Sequence, residues 1–167
     1  MKKKYNVATI FIAKTGIIAA LYAVLTIAFA PISYGAIQCR VSEAMTLLPL
    51  FFVEAIPGLI IGCLISNIFS GVLMDMVFGT LATAIASVLT FYIGKWIKGK
   101  GKPFIAGIPP VLANAFILPI MWKYFTPDGG FYWFNMATVA AGQIIAVYLL
   151  GIPLYFALNK RFDFKIK

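Results

Sequence analysis

Six apolar stretches, separated by short polar connections, take up most of this 167-residue chain: residues 7–30, 43–53, 58–70, 76–97, 104–122 and 133–158. An apolar run of about 20 residues is the length at which an α-helix crosses the hydrocarbon core of a bilayer. A water-soluble fold has no use for several of them in so short a chain. Composition agrees, with 62% hydrophobic and 11% charged residues and a mean hydropathy of +0.97, against roughly 45–50% and about 25% in soluble domains. Inside a membrane the backbone must satisfy its own hydrogen bonds, and long apolar runs without period-2 alternation do so as helices. The expected fold is therefore an all-α integral membrane protein with six transmembrane helices, forming a single domain over residues 1–167. The second and third stretches are too short for a full crossing unless the regions around Pro49 and Pro57 extend them.

Orientation follows from the basic residues. With six spans both termini share one side, which carries Lys2, Lys3, Lys4, Lys14, Lys95, Lys98, Lys100, Lys102, Lys160, Arg161, Lys165 and Lys167. Arg40 and Lys123 alone fall opposite. The reading places both termini in the cytoplasm, in a multi-pass protein of the cell membrane. It also disposes of the +9 net charge as a nucleic-acid signal, since basic residues that alternate with spans are topology signals. Three lysines ahead of an apolar run, with Ala28-Phe29-Ala30 beyond it, have the look of a cleavable leader. The run is longer than such leaders use, and span one is expected to be retained.

Several function classes are excluded by what is missing. The chain has no His, hence neither the commonest general base nor the commonest transition-metal ligand. No catalytic pair, metal site or cofactor site can be named. Two cysteines, Cys39 in a loop and Cys63 in span three, do not make a disulfide scaffold, and Cys63 reads as a small packing residue. No phosphate-binding G-x-x-x-x-G-K-[ST] loop is present, so any uphill transport draws its energy from a partner or a gradient. No internal repeat supports an inverted-repeat carrier.

In so apolar a chain, polar residues inside or beside the spans are the informative ones, because each must be satisfied without bulk water. Around the second span the sequence reads Gln38-Cys39-Arg40-Val41-Ser42-Glu43. Ser42 predicts an N-cap with Glu43 in the first turn, and Arg40 and Glu43 are either a helix-end i, i+3 pair or part of a site. Asn67, Asp75, Asn114, Tyr132, Trp133 and Gln143 fall on other segments toward the same external face. Singly each has a structural explanation: an interhelical hydrogen bond for the amides, a belt position for the aromatics. Their convergence points to a cavity for a small, flat, polar solute. A carboxylate there accepts an N–H/NH₂ edge through two oxygens, and aromatics stack on a ring. Glu54 reads as a solvated or Lys-paired loop charge, residues 99–102 as a flexible cytoplasmic loop, and residues 126–130 as an external turn. On span one, Gly16, Ala19, Ala20 and Ala23 form a strip of small residues against which either another helix of this chain or a partner protein can pack.

The segment Gln38-Cys39-Arg40-Val41-Ser42-Glu43-Ala44-Met45-Thr46, with Leu47-Leu48-Pro49, Ala55-Ile56-Pro57-Gly58-Leu59 and the run Asp75-Met76-Val77-Phe78-Gly79-Thr80-Leu81-Ala82-Thr83, resembles the signature of the QueT family. The resemblance covers nearly the whole chain. It implies a membrane-embedded substrate-binding (S) component of an energy-coupling factor (ECF) transporter, a kind of ABC importer, for queuosine precursors, which are 7-deazaguanines. Such a chain binds its ligand from outside and works with a transmembrane coupling protein and two cytoplasmic ATPases. The resemblance assigns Ala19 and Ala23 to docking on that partner, while Cys39 and Met45 depart from the pattern. The residues themselves, independently of the resemblance, give Glu43 the N–H/NH₂ edge of such a ligand, oriented by Arg40. Gln38, Asn67, Asn114 or Gln143 then meets the ring carbonyl and substituent, and Tyr132 or Trp133 closes the mouth. Three alternatives stay open: an S component for another flat solute such as a pterin, thiamine or riboflavin; an autonomous channel or carrier; and a membrane enzyme.

Overall fold

A computed structural model describes residues 6–34, 39–125 and 130–162. Lys2, Lys3, Lys4, Gln38, Asp128, Lys165 and Lys167, and most of the external turn, lie outside the described residues. All regular structure among those residues is helical: α1 (Val7–Ala28), α2 (Ala30–Ser33), a 3-10 segment (Val41–Leu50), α3 (Ala55–Ser70), a π turn (Asp75–Gly79), α4 (Thr80–Trp96), α5 (Lys102–Ala106), α6 (Ile108–Phe125), α7 (Tyr132–Ile144), a π segment (Ile145–Gly151) and α8 (Ile152–Phe162). Four stretches, Val7–Ala28, Asp75–Trp96, Lys102–Phe125 and Tyr132–Arg161, are long and apolar enough to cross a membrane. They correspond to the first, fourth, fifth and sixth expected spans. The second and third are the shorter apolar helices Val41–Leu50 and Ala55–Ser70.

The 3-10 segment departs from the α-helix expected there, and its geometry bears on its shortness. At about 2.0 Å per residue, ten residues in 3-10 form reach roughly 20 Å, against about 15 Å as α-helix. Such runs rarely exceed four residues, and this one also contains Pro49. What holds it is its surroundings, because residues 42–50 are all buried. The π segment approaches at backbone distance: a Cβ on Gly151 would lie 3.0 Å from the Ala44 carbonyl oxygen. Ser42 is not the cap. Arg40 occupies that position without a side-chain cap bond, and the Ser42 hydroxyl instead lies 2.6 Å from Thr26 Oγ1 on α1.

Helices α1 and α3 form the tightest pair. A Cβ at Gly62 would sit 2.7 Å from both the Ala19 carbonyl oxygen and Tyr22 Cβ, and one at Gly58 would sit 2.8 Å from Ile18 Cγ2. Glycines four apart thus complement the small strip on α1, a close-packing device of membrane helices. Ala19 and Ala23 are buried in this chain's own interior, while Gly16 and Ala20 stay exposed. Helix α3 ends at Gly71 in a left-handed conformation (φ +73°), as helix C-termini often do.

The outward faces are apolar: Ile17, Leu21 and Val24 on α1, Leu81, Ile85 and Leu89 on α4, and Leu112, Phe116 and Ile120 on α6 are exposed. Polar side chains are turned inward, the arrangement for a lipid surround. At the lysine-rich end, Lys14 Nζ pairs with Glu54 Oε1 at 2.9 Å, and Thr15 Oγ1 donates to the Glu54 carbonyl oxygen. Burial pushes the Glu54 carboxyl up, but the Lys14 hydrogen bond outweighs it and holds the group below its ordinary value. Lys102 is not in a flexible loop: it opens α5 and is buried.

Candidate functional site

Charge is concentrated in one buried place. Arg40, Glu43, Asn67 and Asp75 are all buried, with Asp75 the most accessible at 6%. They come from the entry and first turn of the 3-10 segment, from α3 and from the start of the π turn. Each irregular element has a positional effect. The 3-10 segment carries Glu43 toward α1, where the Tyr22 hydroxyl donates to Glu43 Oε1 at 2.5 Å. The π turn brings the Asp75 carbonyl oxygen within 2.9 Å of Asn67 Nδ2. It also places Gly79 so close that a Cβ there would lie 2.8 Å from Asn67 Nδ2 and 3.9 Å from Arg40 Nη1. The Trp122 indole of α6 hydrogen-bonds to the Asp75 side chain.

Cys63 packs in the core with Ile18, Tyr22 and Leu59, as expected, and is also the hub of this group. Its sulfur accepts from Asn67 Nδ2 at 3.4 Å and Thr83 Oγ1 at 3.2 Å, with Arg40 Nη1 at 4.0 Å. Tyr34 covers the guanidinium, its ring centroid 5.5 Å from Arg40 Cζ, and its hydroxyl donates to the Ser66 carbonyl oxygen at 2.7 Å. Both cysteines are free.

Equally informative are the atoms without a protein partner. Arg40 Nε and Nη2 are buried donors with no acceptor, and Glu43 Oε2, Asn67 Oδ1, Asp75 Oδ1 and Gln143 Oε1 are buried acceptors with no donor. The Thr80 hydroxyl belongs to the same class. Most buried polar atoms in proteins are paired, and an unpaired one costs about 1–3 kcal/mol, more when charged. Among the described residues the ion pair within 4.0 Å is Lys14–Glu54, so Arg40 does not orient Glu43 by direct contact. Tyr22 does. Since Tyr22 donates to Oε1, the Glu43 oxygen left without a protein partner is Oε2, and Asp75 Oδ1 and Asn67 Oδ1 are further unpaired acceptors for a two-donor edge.

The remaining candidates are placed less centrally. Asn114 is buried on α6 and donates to its own helix, to the Pro110 carbonyl oxygen at 3.0 Å. Gln143 is buried on α7. Tyr132 and Trp133 border a separate cleft of about 660 Å³, together with Lys123, Tyr124 and Phe131, and Trp133 is 61% exposed there. Sequence reading passed over Tyr22 and Thr83 and took Cys63 for packing alone, and one signal was available: on the helices of a membrane bundle, a polar side chain four residues from another marks an inward face, as Tyr22–Thr26 and Cys63–Asn67 do.

Comparisons with known proteins fit this picture. The queuosine precursor transporter QueT of Lactococcus lactis subsp. cremoris (strain MG1363) is 40% identical over 85 residues, covering 50% of this chain and 47% of that protein. The match thus spans about half the relative's length. No solved structure matches. The profile of the QueT transporter family matches residues 12–160, through every element that builds the buried cluster, and the chain belongs to that family.

Proposed function

We propose that this chain is the substrate-binding subunit of an ECF-type importer and captures a queuosine precursor of the 7-deazaguanine type from outside the cell. The observation that carries the reading is the unpaired set itself: two guanidinium donors and three acceptors, on Arg40, Glu43, Asn67 and Asp75, buried together. A guanine-like ring is complementary to it. Its ring N–H and exocyclic NH₂ meet Glu43 Oε2 and Asp75 Oδ1 or Asn67 Oδ1, and its carbonyl oxygen accepts from Arg40. Charge-assisted hydrogen bonds of this kind contribute about 1.5–3 kcal/mol each. Two carboxylates against one guanidinium favour a ligand that brings a positive charge of its own. Gln38, Asn114 and Gln143 serve the ring substituent, and Tyr132 and Trp133 act at the mouth.

In this reading the termini are cytoplasmic, and the energy comes from a transmembrane coupling protein and two ATPases. The exposed Gly16 and Ala20 extend the small strip of α1 outward and mark where a coupling protein would approach, whereas Ala19 and Ala23 contact it only if α1 and α3 separate. The test is reconstitution. Liposomes holding the chain alone should bind a radiolabelled 7-deazaguanine without accumulating it, and liposomes that also contain the energising subunits should accumulate it with ATP. Accumulation by the chain alone would make it an autonomous carrier.

A further inference from the structure

At the opposite, lysine-rich end, a cleft of about 270 Å³ opens between the end of the 3-10 segment, the last turns of α4 and the start of α5. Leu50, Phe51 and Phe91 form its apolar wall, and Lys95, Lys98 and Lys102 its charged side. The cleft is built into the packing. Gly94 lets α4 close on its neighbours, since a Cβ there would lie 2.8 Å from Leu50 Cδ2 and 3.6 Å from Lys102 Cε. Thr90 Oγ1 ties α4 to α5 through the Ala106 carbonyl oxygen at 3.1 Å. Lys95 Nζ stands 4.4 Å from the Phe91 ring centroid.

Three cations gathered in one cleft repel one another, and no described carboxylate lines it. Glu43 and Asp75 are buried in the polar cluster, and Glu54 is paired with Lys14. Among the described residues no carboxylate is left to balance them, and an anion from another molecule would do so. Tyr92, Trp96 and Phe104 flank the cleft as exposed aromatics, Trp96 at 76%, the residues that mark the headgroup level of a bilayer. An anion at that depth with apolar matter beside it describes a phospholipid. We propose that the cleft binds the phosphate of an anionic phospholipid against Lys95, Lys98 and Lys102, with the glycerol and first acyl carbons against Leu50 and Phe91.

The experiment uses the purified full chain in detergent micelles doped with phosphatidylglycerol or phosphatidylcholine, read by native mass spectrometry and by thermal unfolding. The parent should retain phosphatidylglycerol in preference and unfold at a higher temperature with it. Lys95→Gln with Lys98→Gln, both at exposed positions, should weaken that retention about thirtyfold, at roughly 1 kcal/mol per lysine near the surface. Lys160→Gln with Arg161→Gln removes the same charge elsewhere and should leave retention unchanged. Equal retention of the two lipids overturns the proposal, as does parent-like retention by the Lys95/Lys98 variant. Displacement of the lipid by inorganic phosphate or by a soluble acidic peptide overturns it too, assigning the cleft to a free anion or to a protein partner.

Discussion

Polar groups gather in two places near the α6–α7 mouth and the entry to the 3-10 segment, and the two differ in kind. The cleft beside Tyr132 and Trp133 has a volume of about 660 Å³, is open and mostly aromatic, and carries one cation, Lys123. The cluster around Arg40, Glu43, Asn67 and Asp75 is buried and leaves several hydrogen-bonding atoms without protein partners. Open volume is compatible with many solutes, whereas a fixed set of buried donors and acceptors penalises every ligand that fails to match it. The proposed function therefore assigns recognition to the cluster, and entry to the cleft.

Arg40→Ala should break that contrast most violently. It leaves two buried carboxylates facing no cation, and removal of one partner from a buried charge group costs about 3–5 kcal/mol, which thermal unfolding in detergent will show as a large fall in stability. Glu43→Gln keeps the shape and removes the charge, so ligand affinity measured by calorimetry should drop about ten- to a hundredfold. Tyr22→Phe removes the hydroxyl that fixes Glu43 Oε1 and should weaken binding by up to about tenfold, with folding retained. Glu54→Gln, at the far end, should cost about 0.5 kcal/mol and leave ligand binding alone. Because the Glu54 carboxyl is held below its ordinary value, its contribution is complete above about pH 4.3 and fades as pH falls through the lowered value. The variant should lack that acid-side slope. Trp133→Ala should change affinity less than about twofold; a loss equal to that of Glu43→Gln would move recognition to the cleft.

The helical membrane class and the four long spans were legible because apolar run length is a coarse signal that survives any local detail. The 3-10 form of Val41–Leu50 was not, since it follows from burial on all sides and from the close approach of Gly151, which are tertiary facts. Arg40, Glu43, Asn67 and Asp75 stood out as charges and amides where lipid forbids them. Cys63 did not, because a buried cysteine is ordinarily a small hydrophobe and only its three donors reveal another part. The α1 strip was visible, but its complement Gly58–Gly62 went unread, and with it the fact that Ala19 and Ala23 face inward. Ser42 looked like a cap because the helix was assumed to be α; in 3-10 geometry its hydroxyl turns to Thr26 instead.

The most direct measurement is a calorimetric titration of a 7-deazaguanine into the purified full chain and into Glu43→Gln, side by side, with guanine and riboflavin as comparison ligands. The account predicts saturable binding of the 7-deazaguanine by the parent and at least about tenfold weaker binding by the variant, with riboflavin bound by neither. Parent-like affinity in a folded Glu43→Gln chain would contradict the assignment of recognition to the buried cluster.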